Sequence, residues 1–145
     1  MKKDKSIRAR LLEAWEPPPN AGEPIGLITS SFNFDPGFFE EELVGRFLCV
    51  ESSPADARPY LVERETRLGE VPVVVLADRR HVARTKTLAW DLLGVPVVNG
   101  CCQHAKVSVL AWKRAIRLIV GSANLTEAAY RSNLETFCVF DFTPS

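Results

Sequence analysis

Three short apolar runs constrain this chain more than any other feature. Ile25-Gly-Leu-Ile-Thr-Ser-Ser31, Val71-Pro-Val-Val-Val-Leu-Ala77 and Val95-Pro-Val-Val98 are β-prone and too short for buried helices, so they read as strands. Helical signals lie between them. Asp35 followed by Pro36 is a helix start, and Phe38, Phe39, Leu43, Val44, Phe47 and Leu48 recur at helical spacing behind it. Glu40, Glu41 and Glu42 sit in its early turns, where the helix dipole favours a solvated acidic face. Residues 81–93 predict a second helix, closed by Gly94 as C-cap. The order strand, helix, strand, helix, strand implies a mostly parallel sheet with crossover helices. Residues 51–70 are polar, contain Pro54 and Pro59, and predict a loop with at most a short strand near Tyr60–Glu63.

The second half changes pattern. His104-Ala-Lys-Val-Ser-Val-Leu-Ala111 predicts a strand with His104, Lys106, Ser108 and Leu110 on one face. Lys113-Arg-Ala is the turn, and Ile116–Val120 returns to close a hairpin. Gly121-Ser-Ala-Asn-Leu-Thr126 is a tight turn, with Thr126 or Asn124 capping a short helix to about Arg131. Leu134–Phe142 is the final strand. Ahead of all this, residues 6–15 predict a short amphipathic helix that Pro17, Pro18 and Pro19 stop. The expected organisation is a helix and Pro-rich lead-in over 1–24 and one α/β domain over 25–145, a mixed central sheet flanked by helices.

At 145 residues the chain suits one domain, and 46% hydrophobic with 25% charged residues is a globular composition. Eighteen basic and eighteen acidic side chains cancel, so no global field advertises a nucleic-acid partner. Arg79, Arg80, Arg84 and Lys86 form a local basic set that would suit either a nucleic-acid backbone or solvent. Trp90 and Trp112 are better explained by packing than by base stacking. No apolar core follows the N-terminal lysines and no membrane span is visible, so the cytoplasm is the expected location and no stable membrane insertion is expected. The four cysteines, Cys49, Cys101, Cys102 and Cys138, lack zinc spacing and predict reduced, partly buried thiols, with no metal or other cofactor.

The hairpin carries the chemistry. Its first strand opens with His104 and Lys106, an imidazole and an ammonium on one face. Ser122 and Asn124 follow its second strand. In a hairpin the start of one strand lies beside the end of the other, so the two sets converge. An imidazole, a cation and hydroxyl and amide donors suit a phosphoryl group. Glu135, opening the final strand, can reach the same locus.

These residues resemble the signature of the phospholipase D superfamily, the HKD family: His104-x-Lys106, then Gly121-Ser122-x-Asn124, then Glu135. The longer pattern puts aspartate five residues after the lysine, where this chain has Ala111. The result is a His-Lys-Asn variant, similar to that of the tyrosyl-DNA phosphodiesterases and of a DNA-cleaving branch, which tilts the expected substrate toward nucleic acid. The resemblance implies a phospholipase D-like half-domain and a metal-independent phosphodiesterase working through a phosphohistidine. His104 would attack phosphorus or act as general acid, Lys106, Ser122 and Asn124 would bind the phosphate, and Glu135 would orient His104.

That reaction needs two imidazoles. The chain has two histidines, and His81 lacks the motif and reads as an exposed helix-start residue. The second motif is therefore expected from a homodimer mate or from a further half-domain, which the early end after Phe142 makes room for. Two other readings stand: a hydrolase of phospholipids or other small phosphodiesters, and a catalytically silent nucleic-acid-binding or scaffolding module.

Overall fold

The structure is a computed structural model and describes residues 11–53, 55–81, 89–98 and 100–144. Six strands form one mixed sheet: β1 (Pro24–Ser31), β2 (Val73–Asp78), β3 (Asp91–Val95), β4 (Val107–Trp112), β5 (Ala115–Gly121) and β6 (Phe137–Phe142). Their spatial order is β3-β2-β1-β4-β5-β6. β1, β2 and β3 run parallel, and β4, β5 and β6 join antiparallel. The parallel half and the hairpin half thus meet at the β1–β4 seam, where Thr29 faces Ser108.

Helix α1 (Pro36–Phe38) starts as the sequence predicts. The Asp35 carboxylate accepts from the backbone N–H of Gly37 (3.0 Å) and Phe38 (3.2 Å). The helix widens into a π-helix over Phe39–Val44 and tightens again as α2 (Gly45–Phe47). Its apolar side, Phe38, Phe39, Leu43, Val44 and Phe47, is buried. The glutamates are less free than a solvated face would make them. Glu40 accepts from the indole N–H of Trp90 at 2.7 Å, and Glu42 pairs with Arg46 and Arg131.

Two expectations are corrected. Residues 57–68 form a helix, α3 (Ala57–Leu68), in place of the predicted loop. Pro59 lies in its first turn, where no intrahelical donor is lost. Only Tyr60, Arg64 and Leu68 turn inward, spaced by four, so no apolar stripe marks the helix in the sequence. The second correction concerns residues 81–93. Their start, 82–88, lies outside the described residues, but Asp91–Val95 is strand β3, which moves the predicted 95–98 strand four residues earlier. Asp91 to Val95 pair with Val74 to Asp78 along the free edge of β2, and Gly94 is a strand residue rather than a cap. Short apolar runs such as Leu92–Val95 suit either state, and the open edge of β2 decides.

The core lies on one side of the sheet. Leu27, Val73, Val75, Ala77, Leu110, Trp112 and Ile119 meet the helical aromatics and Trp15 there. Trp15 and Trp112 are almost fully buried and keep their indole N–H groups satisfied, by the Tyr130 hydroxyl at 3.0 Å and the Phe47 carbonyl at 3.2 Å. Trp90 is buried against Phe34 and Phe39. Packing therefore accounts for Trp90 and Trp112. Residues 11–13 are helical, and Leu11 joins this core; Ala14 and Trp15 already form a turn, so the helix ends two residues earlier than predicted, and residues 6–10 lie outside the described residues. No helix among the described residues is long and apolar enough to cross a membrane.

Candidate active site

One edge of the sheet collects the candidate site residues His104, Lys106, Ser122, Asn124 and Glu135. β1 and β2 run parallel, so their C-terminal ends share an edge. β4 is antiparallel to β1 and begins at that edge, β5 ends there, and β6 begins there. Loops at the carboxyl ends of strands, where a sheet changes its winding, are where ligands bind in open α/β sheets. This edge carries Phe32 after β1, Arg80 and His81 after β2, His104 and Lys106 before β4, Ser122 and Asn124 after β5, and Glu135 before β6.

His104 and Lys106 lie in the approach to β4, which begins at Val107. Lys106 folds back on His104. Its Nζ lies 2.9 Å from Nδ1, 3.3 Å from Nε2 and 2.9 Å from the His104 carbonyl oxygen. An ammonium can only donate, so in the neutral imidazole it would occupy the lone pair of whichever ring nitrogen is unprotonated. Partial burial pushes the Lys106 ammonium below its ordinary value, against the opposing charges of Glu135 and Cys102. Lys106 is thus within electrostatic reach of Glu135 across the hairpin. The tie is direct in the backbone, where the Gly121 N–H donates to the Lys106 carbonyl at 3.1 Å.

The Gly-Ser-x-Asn turn is anchored on both sides. The Asn124 side-chain oxygen accepts from the backbone N–H of Asn33 (3.1 Å) and Phe32 (3.3 Å) and from the Ser31 hydroxyl (3.4 Å). Three converging donors identify that atom as the carbonyl oxygen, leaving the amide N–H groups to donate elsewhere. Ser31 Oγ in turn accepts from the Leu125 N–H at 3.0 Å, stitching the loop after β1 to the turn after β5. Ser122 Oγ donates to the Glu135 carboxylate and accepts from the Thr136 N–H at 3.1 Å. Gly121 is required here, since a Cβ at that position would lie 2.7 Å from the Thr136 carbonyl oxygen.

The geometry brings His104 to Lys106 and Ser122 to Glu135. It does not hydrogen-bond Glu135 to His104; the Glu135 oxygens engage Ser122 and Asn133. Sequence reasoning passed over Phe32, whose half-buried ring lies 5.0 Å from the His104 ring and 4.2 Å from the His81 ring. His81 is exposed, as expected, yet it stands at this edge rather than away from it. Arg80 is bound to Asp78 and so is not a free surface cation, while Arg84 and Lys86 lie outside the described residues. The cysteines are all free, and Cys101, Cys102 and Cys138 are exposed rather than partly buried. A signal for the missed residues was present: each lies within a few residues of the C-terminal end of a predicted parallel strand.

No protein-family model matches the sequence, and no curated protein matches it. Solved structures do. A variant of yeast tyrosyl-DNA phosphodiesterase 1 superposes with a TM-score of 0.53 at 11% identity, covering 81% of this chain and 25% of that one. Another structure of the yeast tyrosyl-DNA phosphodiesterase gives 0.52 at 12% identity, with 80% and 25% covered. NucT from Helicobacter pylori gives 0.46 at 15%, with 89% and 73% covered. The chain spans about a quarter of the length of the yeast enzyme. The mixed six-stranded sheet with flanking helices is the phospholipase D-like fold.

Proposed function

We propose that this chain supplies one half of a phosphodiester-cleaving site of the phospholipase D superfamily, in its His-Lys-Asn form, acting on nucleic acid. The observation that carries this reading is the convergence of His104-x-Lys106, Gly121-Ser122-x-Asn124 and Glu135 on one edge of a phospholipase D-like sheet. The fold is shared with an enzyme whose name declares a DNA phosphodiester substrate, which supports the choice of nucleic acid.

In this reading an imidazole nitrogen of His104 bonds to phosphorus as the bond to the leaving oxygen breaks. A second imidazole gives that oxygen its proton. The same imidazole then takes a proton from water, whose oxygen displaces His104 from phosphorus. Lys106 binds an equatorial oxygen. Its move onto the phosphate releases the His104 lone pair that it holds at rest, so binding the substrate uncovers the nucleophile. The Asn124 amide N–H groups donate to a second oxygen. Ser122 is committed to Glu135, so it reaches the phosphate only by exchanging that partner; otherwise it fixes the carboxylate near Lys106. The second imidazole comes from a second copy of the chain or from a further half-domain.

The test is cleavage of bis(p-nitrophenyl) phosphate in EDTA by wild type and His104→Ala, with assembly state measured alongside. Turnover by the wild type that falls at least ~10³-fold in the variant supports the reading. Turnover unchanged in the variant, or salt-sensitive nucleic-acid binding without turnover in any assembly, refutes it in favour of a binding module.

A further inference from the structure

His104 is exposed and sits outside the strand, so the β ladder does not hold it; its ring touches Lys106 and Phe32. Its backbone is held by hydrogen bonds on either side. Ahead of it, the Gln103 N–H donates to Asp78 Oδ2 at 3.0 Å. Behind it, the Ala105 carbonyl accepts from the Ser30 hydroxyl at 3.1 Å. The second anchor is a strand residue at the β1–β4 seam. The first is a buried carboxylate at the end of β2.

Asp78 is fully buried, and both of its oxygens are occupied. Oδ1 accepts from the Arg80 backbone N–H and from Arg80 Nε, each at 3.0 Å. Oδ2 accepts from Arg80 Nη2 at 2.9 Å and from the Gln103 N–H. The guanidinium then reaches past the carboxylate, and Nη2 donates to the Cys101 carbonyl at 2.7 Å. One fork thus grips a carboxylate of β2 and a peptide of the loop before β4 together. The same turn donates the His81 N–H to the Asp78 carbonyl at 2.8 Å. A lysine offers a single point donor and cannot reproduce a two-pronged grip that also spans to a third oxygen.

We propose that Asp78 and Arg80 are positioning residues, a clamp that fixes the Cys101–Gln103 loop and through it the imidazole of His104. This rests on the reading of His104 as the reacting group, but the clamp itself is a statement about geometry. In the sequence Arg79 and Arg80 belong to a basic set that suits either a nucleic-acid backbone or a solvated face. The structure gives Arg80 an internal task instead. Displacing a reacting group by an ångström can cost about 10²-fold in rate, so a clamp two residues long has leverage on turnover.

The experiment compares wild type, Arg80→Gln and Arg80→Lys. The first readout is the ring-proton shift of His104, assigned against a His81→Gln spectrum. The Phe32 ring 5.0 Å away displaces that shift from its unstructured value. The second readout is kcat and KM on bis(p-nitrophenyl) phosphate. Both variants are expected to move the His104 shift toward the unstructured value, with kcat lowered roughly 10- to 100-fold and KM changed less than about threefold. Arg80 is half exposed, so both variants should fold; circular dichroism confirms it, and Asp78→Asn is a stronger companion if it folds too. A folded Arg80→Gln with an unchanged His104 shift overturns the clamp. So does an Arg80→Lys protein with wild-type shift and kcat, because it would reduce Arg80 to a mere charge. If the wild type has no turnover in any assembly, the proposed function fails on its own, and the chemical shift still decides the clamp.

Discussion

Asn124 has two functions that one substitution can separate. Its carbonyl oxygen satisfies donors from the loop after β1, and in the proposed site its amide N–H groups would donate to the phosphate. Asn124→Asp keeps an acceptor but replaces the donors with negative charge. The protein should fold while affinity for a phosphodiester, measured by titration calorimetry, drops at least tenfold. Asn124→Ala removes the acceptor and strands backbone donors, so it should also cost about 1–3 kcal/mol of stability in urea unfolding. Lys106 gives a pH signature. Burial lowers its pKa below the ordinary 10.5, so its charge is lost at a lower pH than for a free lysine. Only the charged form binds phosphate, so affinity should fall on the alkaline side, starting below pH 10.5. Lys106→Arg stays charged throughout that range and should flatten the profile.

Glu63, on α3, ties the helix to the loop before it. It accepts from the backbone N–H of Glu51 (2.9 Å) and Ser52 (3.0 Å) and from the Ser52 hydroxyl (2.6 Å). The Ser52 hydroxyl, and then the two N–H groups, carry its pKa from the ordinary 4.5 down to about 2. Because the folded value lies below the unfolded one, the stabilisation is present above pH 4.5 and is lost as pH falls toward 2. In Glu63→Gln the melting temperature should be lower near neutrality and converge on the wild type below pH 2–3. The turn after β5 is less forgiving. Gly121→Ala would drive a methyl group into the Thr136 carbonyl and the Phe137 side chain, which cannot both retreat without opening the β5–β6 pair. It should cost about 1–3 kcal/mol and disturb the Ser122–Glu135 contact.

At the scale of the whole molecule, stability and site are built on one sheet but at different places. The aromatic cluster of Trp15, Phe34, Phe39 and Trp90 lies on the covered face, and the candidate site residues lie on the edge. Phe39→Ala empties the middle of that cluster and should destabilise by about 3–5 kcal/mol in denaturant unfolding. A site completed by a second copy also makes turnover depend on concentration. If two His104 rings meet across a two-fold axis, specific activity should fall on dilution through the dissociation constant.

Much of this was legible in the residues themselves. The strand at 25–31, the capped helix behind it, the hairpin with its Lys113–Ala115 turn and the Gly-Ser-x-Asn turn follow from alternation, capping and turn chemistry, which are local rules. The convergence of His104 and Lys106 with Ser122 and Asn124 was legible too, because a hairpin makes neighbours of positions whose spacing is known. What only the tertiary structure decided depended on partners distant in sequence. Helix α3 hid because its inward face is Tyr60, Arg64 and Leu68, with a charge paired to Glu40 where an apolar side chain would be expected. Strand β3 took its state from the free edge of β2. Arg80 is tied down because a buried Asp78 and the carbonyl of Cys101 lie within its reach. Local propensity is a property of a few consecutive residues, whereas an edge, a buried counter-ion or a shared acceptor exists only once remote segments have been brought together.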